Sequence, residues 1–330
     1  MARLQAFRRK TADLLVIYWE LARLIVPITL AAEALSRAGV IKAIAPAFAP
    51  VMSFYGLPPE LGLAWLTGML VGIWGALPLI FTLVPVSELT TADITVFSAL
   101  LLFTHALPIE QGILRRAGAA MIASTAIRVL GGLVYAAILH RISLTTGWLD
   151  GPIQAVWTPM AASQDWPGFL WSLAQMMLWM LVILLALGWG VAALEATGTM
   201  AAMNRAIDPV LRLAGIRGEA RQFAVIGTLL GIAYGGGLMI REAQSGRITP
   251  RQILAACIFM GFAHGMIEDT AVVMAIGADG WAMIPGRLIF AIVATAAIMR
   301  LIRAVPDRWF HGLLFVGPAP ATAGAGRQPG

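Results

Sequence analysis

Long apolar runs dominate the chain. Those at 14–35, 61–84, 117–139, 169–195, 222–240 and 283–302 approach or exceed the roughly 20 residues a helix needs to cross hydrocarbon. Two further segments, 93–114 and 252–276, are apolar at both ends but polar in the middle. The first break holds His105, Pro108 and Glu110; the second holds His264, Glu268 and Asp269. Segments 38–55 and 197–214 mix proline, arginine and small residues, and predict amphipathic helices at a membrane surface. The pattern predicts an all-α polytopic membrane protein.

The pattern also occurs twice. At an offset of 159 (209 − 50) Pro50 falls on Pro209, Gly56 on Gly215, Glu60 on Glu219, Gly68 on Gly227, Gly72 on Gly231, His105 on His264 and Gly118 on Gly277. Chance matching of apolar sequence yields leucine and valine coincidences, not glycine, proline, glutamate and histidine at one fixed shift. Two tandem repeats are therefore expected, 1–141 and 169–310, joined by a linker over 142–168 and followed by a flexible tail over 311–330. Each has about three spans, an amphipathic helix and a broken helix or re-entrant hairpin. If 93–114 and 252–276 turn back as hairpins, each repeat crosses an odd number of times and the halves are inverted. Loop charge favours that reading: it puts Arg115, Arg116, Arg205, Arg212, Arg217, Arg221, Arg300, Arg303 and Arg308 on the cytoplasmic side and the arginine-free 142–168 outside. Lys42, Arg241, Arg247 and Arg251 then fall on the opposite side from the other cations.

Composition agrees. The chain is 59% hydrophobic and 12% charged, which excludes a soluble globular protein. The net charge of +6 is spread over loops and gives no support for nucleic-acid binding. The expected partners are the lipid bilayer and a small solute or ion, with a homo-oligomer left open. Arg3, Arg8, Arg9 and Lys10 precede the first run as in a signal peptide, but the run is too long for one and reads as a retained helix. The lone cysteine, Cys257, rules out a disulfide framework or a thiolate metal cluster.

Ionisable groups at membrane depth cost roughly 2.5–3.5 kcal/mol each on insertion scales, and persist where they face a cavity, a partner or a substrate. His264 and Glu268 are i and i+4, so a continuous helix would place both on one face. Pro108 removes a backbone donor between His105 and Glu110, so the first helix must open. Arg128 is deep in its span, and its expected partner is a break carboxylate. His105, Glu110, His264, Glu268 and Asp269 are the expected substrate- or ion-binding residues. Of these, His105, Glu110, His264 and Glu268 are the candidate ligands for a divalent metal, for which two imidazoles with carboxylates suit a borderline ion. Interhelical hydrogen bonding without a ligand is the plainer role of such groups. Gly68–Gly72 and Gly227–Gly231 have the spacing of close helix packing; Pro78 and the run Gly235, Gly236, Gly237 are candidates for unwinding a helix beside the break.

The stretches "GALPLIFTL", "TTADITVFSALLLFTHALPIEQGIL" and "GFAHGMIEDTAVV" resemble the nucleoside recognition, or Gate, domain family, over roughly residues 60–140 and 220–300. That domain also occurs in spore maturation membrane proteins and in the membrane part of bacterial ferrous-iron transporters. The resemblance implies a multi-pass protein of the bacterial inner membrane. An iron cargo is disfavoured by the absence from this sequence of a GTPase domain and of membrane cysteines other than Cys257. The expected function is a non-enzymatic, gradient-driven transporter or channel for a small polar solute or cation, either a divalent metal or a nucleoside-like solute, with its site between the two breaks. The alternatives are a membrane scaffold of the spore-maturation type and, last, an intramembrane hydrolase, for which "HGMIE" lacks the second histidine of a zinc pattern.

Overall fold

The computed structural model describes residues 2–40, 43, 45–157, 165–232, 240–241 and 243–317. In the first half α1 spans Ala2–Arg37, α2 Ala49–Phe54, α3 Leu61–Val71, α4 Ile73–Leu83, α5 Thr91–Thr104, α6 Leu107–Ala117 and α7 Met121–Thr146. In the second, α8 spans Trp166–Ala196, α9 Thr199–Leu213, α10 Ala220–Leu230, α11 Pro250–Ala263, α12 Glu268–Ala275 and α13 Arg287–Arg303. The described residues contain no strand, only isolated bridges at Thr90–Pro152 and Ala119–Phe315. Shifted by 159 (220 − 61 and 250 − 91), α3 falls on α10 and α5 on α11, end for end.

The apolar run 61–84, long enough to span, does not span. Gly72 has φ 118°, ψ 177°, and splits it into α3 and α4, each 11 residues long. At about 1.5 Å per residue each is about 16 Å, half the hydrocarbon thickness. A Cβ on Gly75 would stand 3.5 Å from Thr67 Cγ2, and one on Gly68 3.2 Å from Ala76 Cβ. Residues eight apart along a straight helix are about 12 Å apart, so α3 and α4 lie side by side as a re-entrant hairpin with Gly72 at its tip. Its twin, Gly231 (φ 106°), ends α10 in the same way. The polar segments, expected to be the hairpins, instead continue across: α5 and α6 meet at a bend of 41°, and Pro250–Ala275 forms one 26-residue apolar stretch.

Side-chain and loop contacts place the helix ends. At one end Glu219 pairs with Arg247 (3.3 Å), the Arg217 amide donates to Gln252 Oε1 (2.6 Å), Arg251 pairs with Asp307 (2.9 Å) and lies over the Phe310 ring, and Phe315 bridges to Ala119. At the other end Thr90 bridges to Pro152, the Trp157 amide donates to the Ala275 carbonyl (3.0 Å), and the Asp279 amide to Thr95 Oγ1 (3.0 Å). α5 thus starts at the second end and α11 at the first, so the two broken helices run in opposite directions. α10 stops at Gly231, inside the run 222–240, and Arg247 and Arg251 lie at the end that holds Arg217. The mismatch of loop charge in the expected topology is thereby removed for Arg247 and Arg251; Lys42 lies outside the described residues. Phe310 and Phe315 are buried, so the folded body extends past residue 311, where a flexible tail was expected.

The small-residue pairs divide by role. A Cβ on Gly68 would overlap Leu101 Cδ1 and one on Gly227 would overlap Met260 Sδ, which is close helix packing; around Gly72 and Gly231 there is space, and the positive φ is what requires glycine. On α7, Gly131 and Gly132 admit the rings of Phe262 and Phe103, which join Tyr135 and Phe290 in an aromatic cluster with centroids 5.1–5.7 Å apart.

These contacts predict that cysteines introduced at 212 and 247 are labelled by a membrane-impermeant reagent from the same side, and one at 150 from the opposite side. Labelling of 247 together with 150 would return the hairpins to the polar segments. Gly227→Leu should abolish recovery of folded protein, whereas Gly72→Ala, with room for its methyl but a backbone at positive φ and extended ψ that only glycine adopts freely, should cost about 1–3 kcal/mol in detergent thermal unfolding.

Candidate functional site

Each broken helix stops for the same local reason. α5 opens with a capping box, Thr90 Oγ1 accepting from the Asp93 amide (3.1 Å) and Asp93 Oδ2 from the Thr90 amide (2.8 Å). It ends at His105, which is extended, and Ala106 follows at φ 49°. Pro108 sits in the first turn of α6, where a missing amide proton costs nothing. The break therefore precedes the proline instead of lying at it. In the second copy α11 ends at extended His264, and Gly265 follows at φ 59°. Amides freed at the breaks find acceptors in α3 and α10: Ala106 donates to the Gly68 carbonyl and Met266 to the Thr228 carbonyl, both at 2.9 Å.

Two fully buried arginines serve the freed carbonyls. Arg128 on α7 donates through Nε to the Phe103 carbonyl and through Nη2 to the His105 carbonyl (3.1 Å), while Nη1 pairs with Glu110. Arg287 on α13 donates through Nε to the Phe262 carbonyl (2.8 Å), through Nη2 to the His264 carbonyl and through Nη1 to Thr270 Oγ1 (3.2 Å). Each guanidinium thus meets the negative end of one half-helix. Glu110 and Asp269, in the first turns of α6 and α12, meet the positive ends of the others.

Between the breaks the imidazoles face each other. Nδ1 of His105 lies 3.1 Å from the Leu101 carbonyl and Nδ1 of His264 2.8 Å from the Met260 carbonyl, so both Nδ1 atoms donate and both Nε2 atoms turn inward, 3.2 Å apart. Glu110 Oε1 is 3.7 Å and Asp269 Oδ2 3.6 Å from His105 Nε2; Glu110 Oε2 is 3.3 Å and Arg128 Nη2 3.1 Å from His264 Nε2. A Cβ on Gly265 would overlap the Asp269 carboxylate, so glycine there admits the acid as well as the turn.

The donor set fits a divalent cation. Ligand atoms of His105, His264 and Asp269 lie within 4.8 Å of one another. A tetrahedral ion with bonds of about 2.0–2.1 Å would separate its ligands by about 3.3 Å, close to the spacing of the two Nε2 atoms. Entry of such an ion requires Arg128 to leave His264.

Of the expected residues, the structure brings together His105, Glu110, His264 and Asp269. Glu268 is not among the acids paired with the imidazoles: the helix ends at His264, so i and i+4 no longer share a face, and Asp269, the twin of Glu110 (269 − 110 = 159), takes the place. Pro78 is buried inside α4 and does not unwind it. Gly235, Gly236 and Gly237 lie outside the described residues. Arg128 pairs with a break carboxylate as expected. Arg287 was missed, although it stands 159 residues after Arg128 (287 − 128) and the repeat alone would have found it.

Arg128→Met should destabilise the detergent-solubilised protein by about 3–5 kcal/mol, because Glu110 is left buried without its counter-ion. Adding Glu110→Gln should recover part of that loss. A double variant no more stable than the single one would show that the carbonyl caps, not the ion pair, carry the effect.

Comparison with known proteins agrees with this architecture. Residues 177–280 match the family described as Gate, nucleoside recognition. The chain is 26% identical over 288 residues to the uncharacterized membrane protein YvoD of Bacillus subtilis (strain 168), covering 85% of this chain and 89% of the relative. No solved structure matches the chain. With its apolar spanning helices the chain is a polytopic membrane protein, and over residues 177–280 it is similar to the nucleoside recognition (Gate) domain family.

Proposed function

We propose that the chain is a non-enzymatic, gradient-driven transporter of the bacterial inner membrane, built from two inverted repeats, that binds a small polar solute or cation between its two helix breaks. The observation that carries this reading is the convergence of His105, His264, Glu110 and Asp269, with two arginines, where hairpins and helix breaks meet. Ionisable groups in that number at membrane depth are costly, and discontinuous helices meeting near the midplane are the recurring substrate site of inverted-repeat transporters. The inward Nε2 atoms offer lone pairs to a borderline divalent cation and equally to a proton donor on a polar solute such as a nucleoside, the ligand class in the family's description.

The test is thermal unfolding of the purified protein with zinc, manganese, ferrous iron and a panel of nucleosides, alongside uptake into proteoliposomes. A ligand bound at the imidazoles raises the wild-type midpoint, and His264→Ala and Asp269→Asn abolish both shift and uptake while the variants remain folded. If no solute stabilises the wild type and both variants lose stability, by roughly 1–2 kcal/mol per interhelical bond, the residues are packing elements and the chain is a scaffold.

A further inference from the structure

The arginines of the helix-rich end are not evenly spread. Asp208 and Arg212 lie one turn apart on α9, and Arg221 opens α10. Arg212 Nε (3.0 Å) and Nη2 (2.5 Å) and Arg221 Nη1 (2.9 Å) all donate to the single oxygen Asp208 Oδ2. Beside them Arg212, Arg217, Gly218 and Arg221 line a cavity of about 410 Å³. Arg221 Nε is shut off from solvent and has no acceptor among the described residues. The Arg217 side chain forms no ion pair with a described residue.

The repeat supplies a control. Shifted by 159, Asp208, Arg212, Arg217, Gly218 and Arg221 fall on Ala49, Ser53, Pro58, Pro59 and Gly62, while the flanking Pro50–Pro209, Gly56–Gly215 and Glu60–Glu219 stay matched. The same corner therefore folds without any of these four charges, so the fold does not require the cluster. Loop arginines that only fix topology need not converge; these three surround one cavity with one carboxylate between them. Leu211, Ala214 and Ile216 are buried and Leu213 is exposed, as for a helix lying at the surface of the bilayer.

We propose that this cavity binds a phosphate group, held by Arg212, Arg217 and Arg221. Guanidinium groups match phosphate oxygens two at a time, and in the free protein Asp208 stands in for the anion. The phosphate comes either from an anionic lipid headgroup, which α9 would meet at the surface, or from a soluble phosphate compound.

Two arms separate the sources, and neither depends on the imidazole site or on uptake. In nanodiscs of phosphatidylcholine, replacing a minority of the lipid by phosphatidylglycerol should raise the thermal midpoint if the source is lipid. In detergent without added lipid, inorganic phosphate or ADP should raise it relative to chloride at matched ionic strength if the source is soluble. In whichever arm responds, the shift should saturate with ligand. Arg217→Gln, which breaks no ion pair among the described residues, should weaken it, and Asp208→Asn should move half-saturation to lower concentration by removing the competing carboxylate. A midpoint unmoved in both arms, or a shift unchanged in Arg217→Gln and in Arg212→Gln/Arg217→Gln, overturns the proposal; if the double variant fails to fold, Arg217→Gln alone decides.

Discussion

A helix interrupted at membrane depth leaves carbonyls at one broken end and amides at the other, with no water to receive them. In this protein that constraint is met twice by the same device. One arginine from the following helix spans each gap and takes two carbonyls, those of Phe103 and His105 or of Phe262 and His264, while α3 or α10 takes the orphan amides. Burying a guanidinium costs several kcal/mol, and leaving two carbonyls and a carboxylate unmet would cost at least as much. The imidazoles, the carboxylates and the hairpin tips are all positioned by this solution.

The two copies do not use the device identically. Arg128 reaches across to His264 and pairs with Glu110, whereas the hydrogen bonds of Arg287 to described residues stay within its own half, at Phe262, His264 and Thr270. Asp269 in turn approaches His105. Duplication thus fixes a shared backbone, and the side chains at its centre are divided unequally between the halves.

Most of the architecture is legible in the sequence because glycine, proline and histidine recur at one offset, and that offset carries the ends of α3 onto α10 and of α5 onto α11 to the residue. The assignment of hairpins fails for a specific reason. Hydropathy counts 61–84 as one span, since a glycine at helical spacing looks the same whether it packs, as Gly68 does, or turns the chain back, as Gly72 does. Polar residues in 93–114 draw the hairpin to the wrong place. At the site, Glu268 is preferred over Asp269 because i, i+4 spacing assumes a helix that in fact ends at His264. Arg287 escapes notice inside an apolar run that begins at 283.

The two breaks differ in backbone freedom, which side-chain contacts do not reveal. In the first, an alanine holds the left-handed turn at φ 49° and a proline follows two residues later; both narrow the conformations open to the chain, and alanine in that region costs about 1–2 kcal/mol. In the second, glycine holds the turn at φ 59° without penalty. Conformational entropy is thereby shared unequally between two otherwise equivalent joints. The first joint has few backbone shapes open to it and holds a strained one, whereas the second rests unstrained among many.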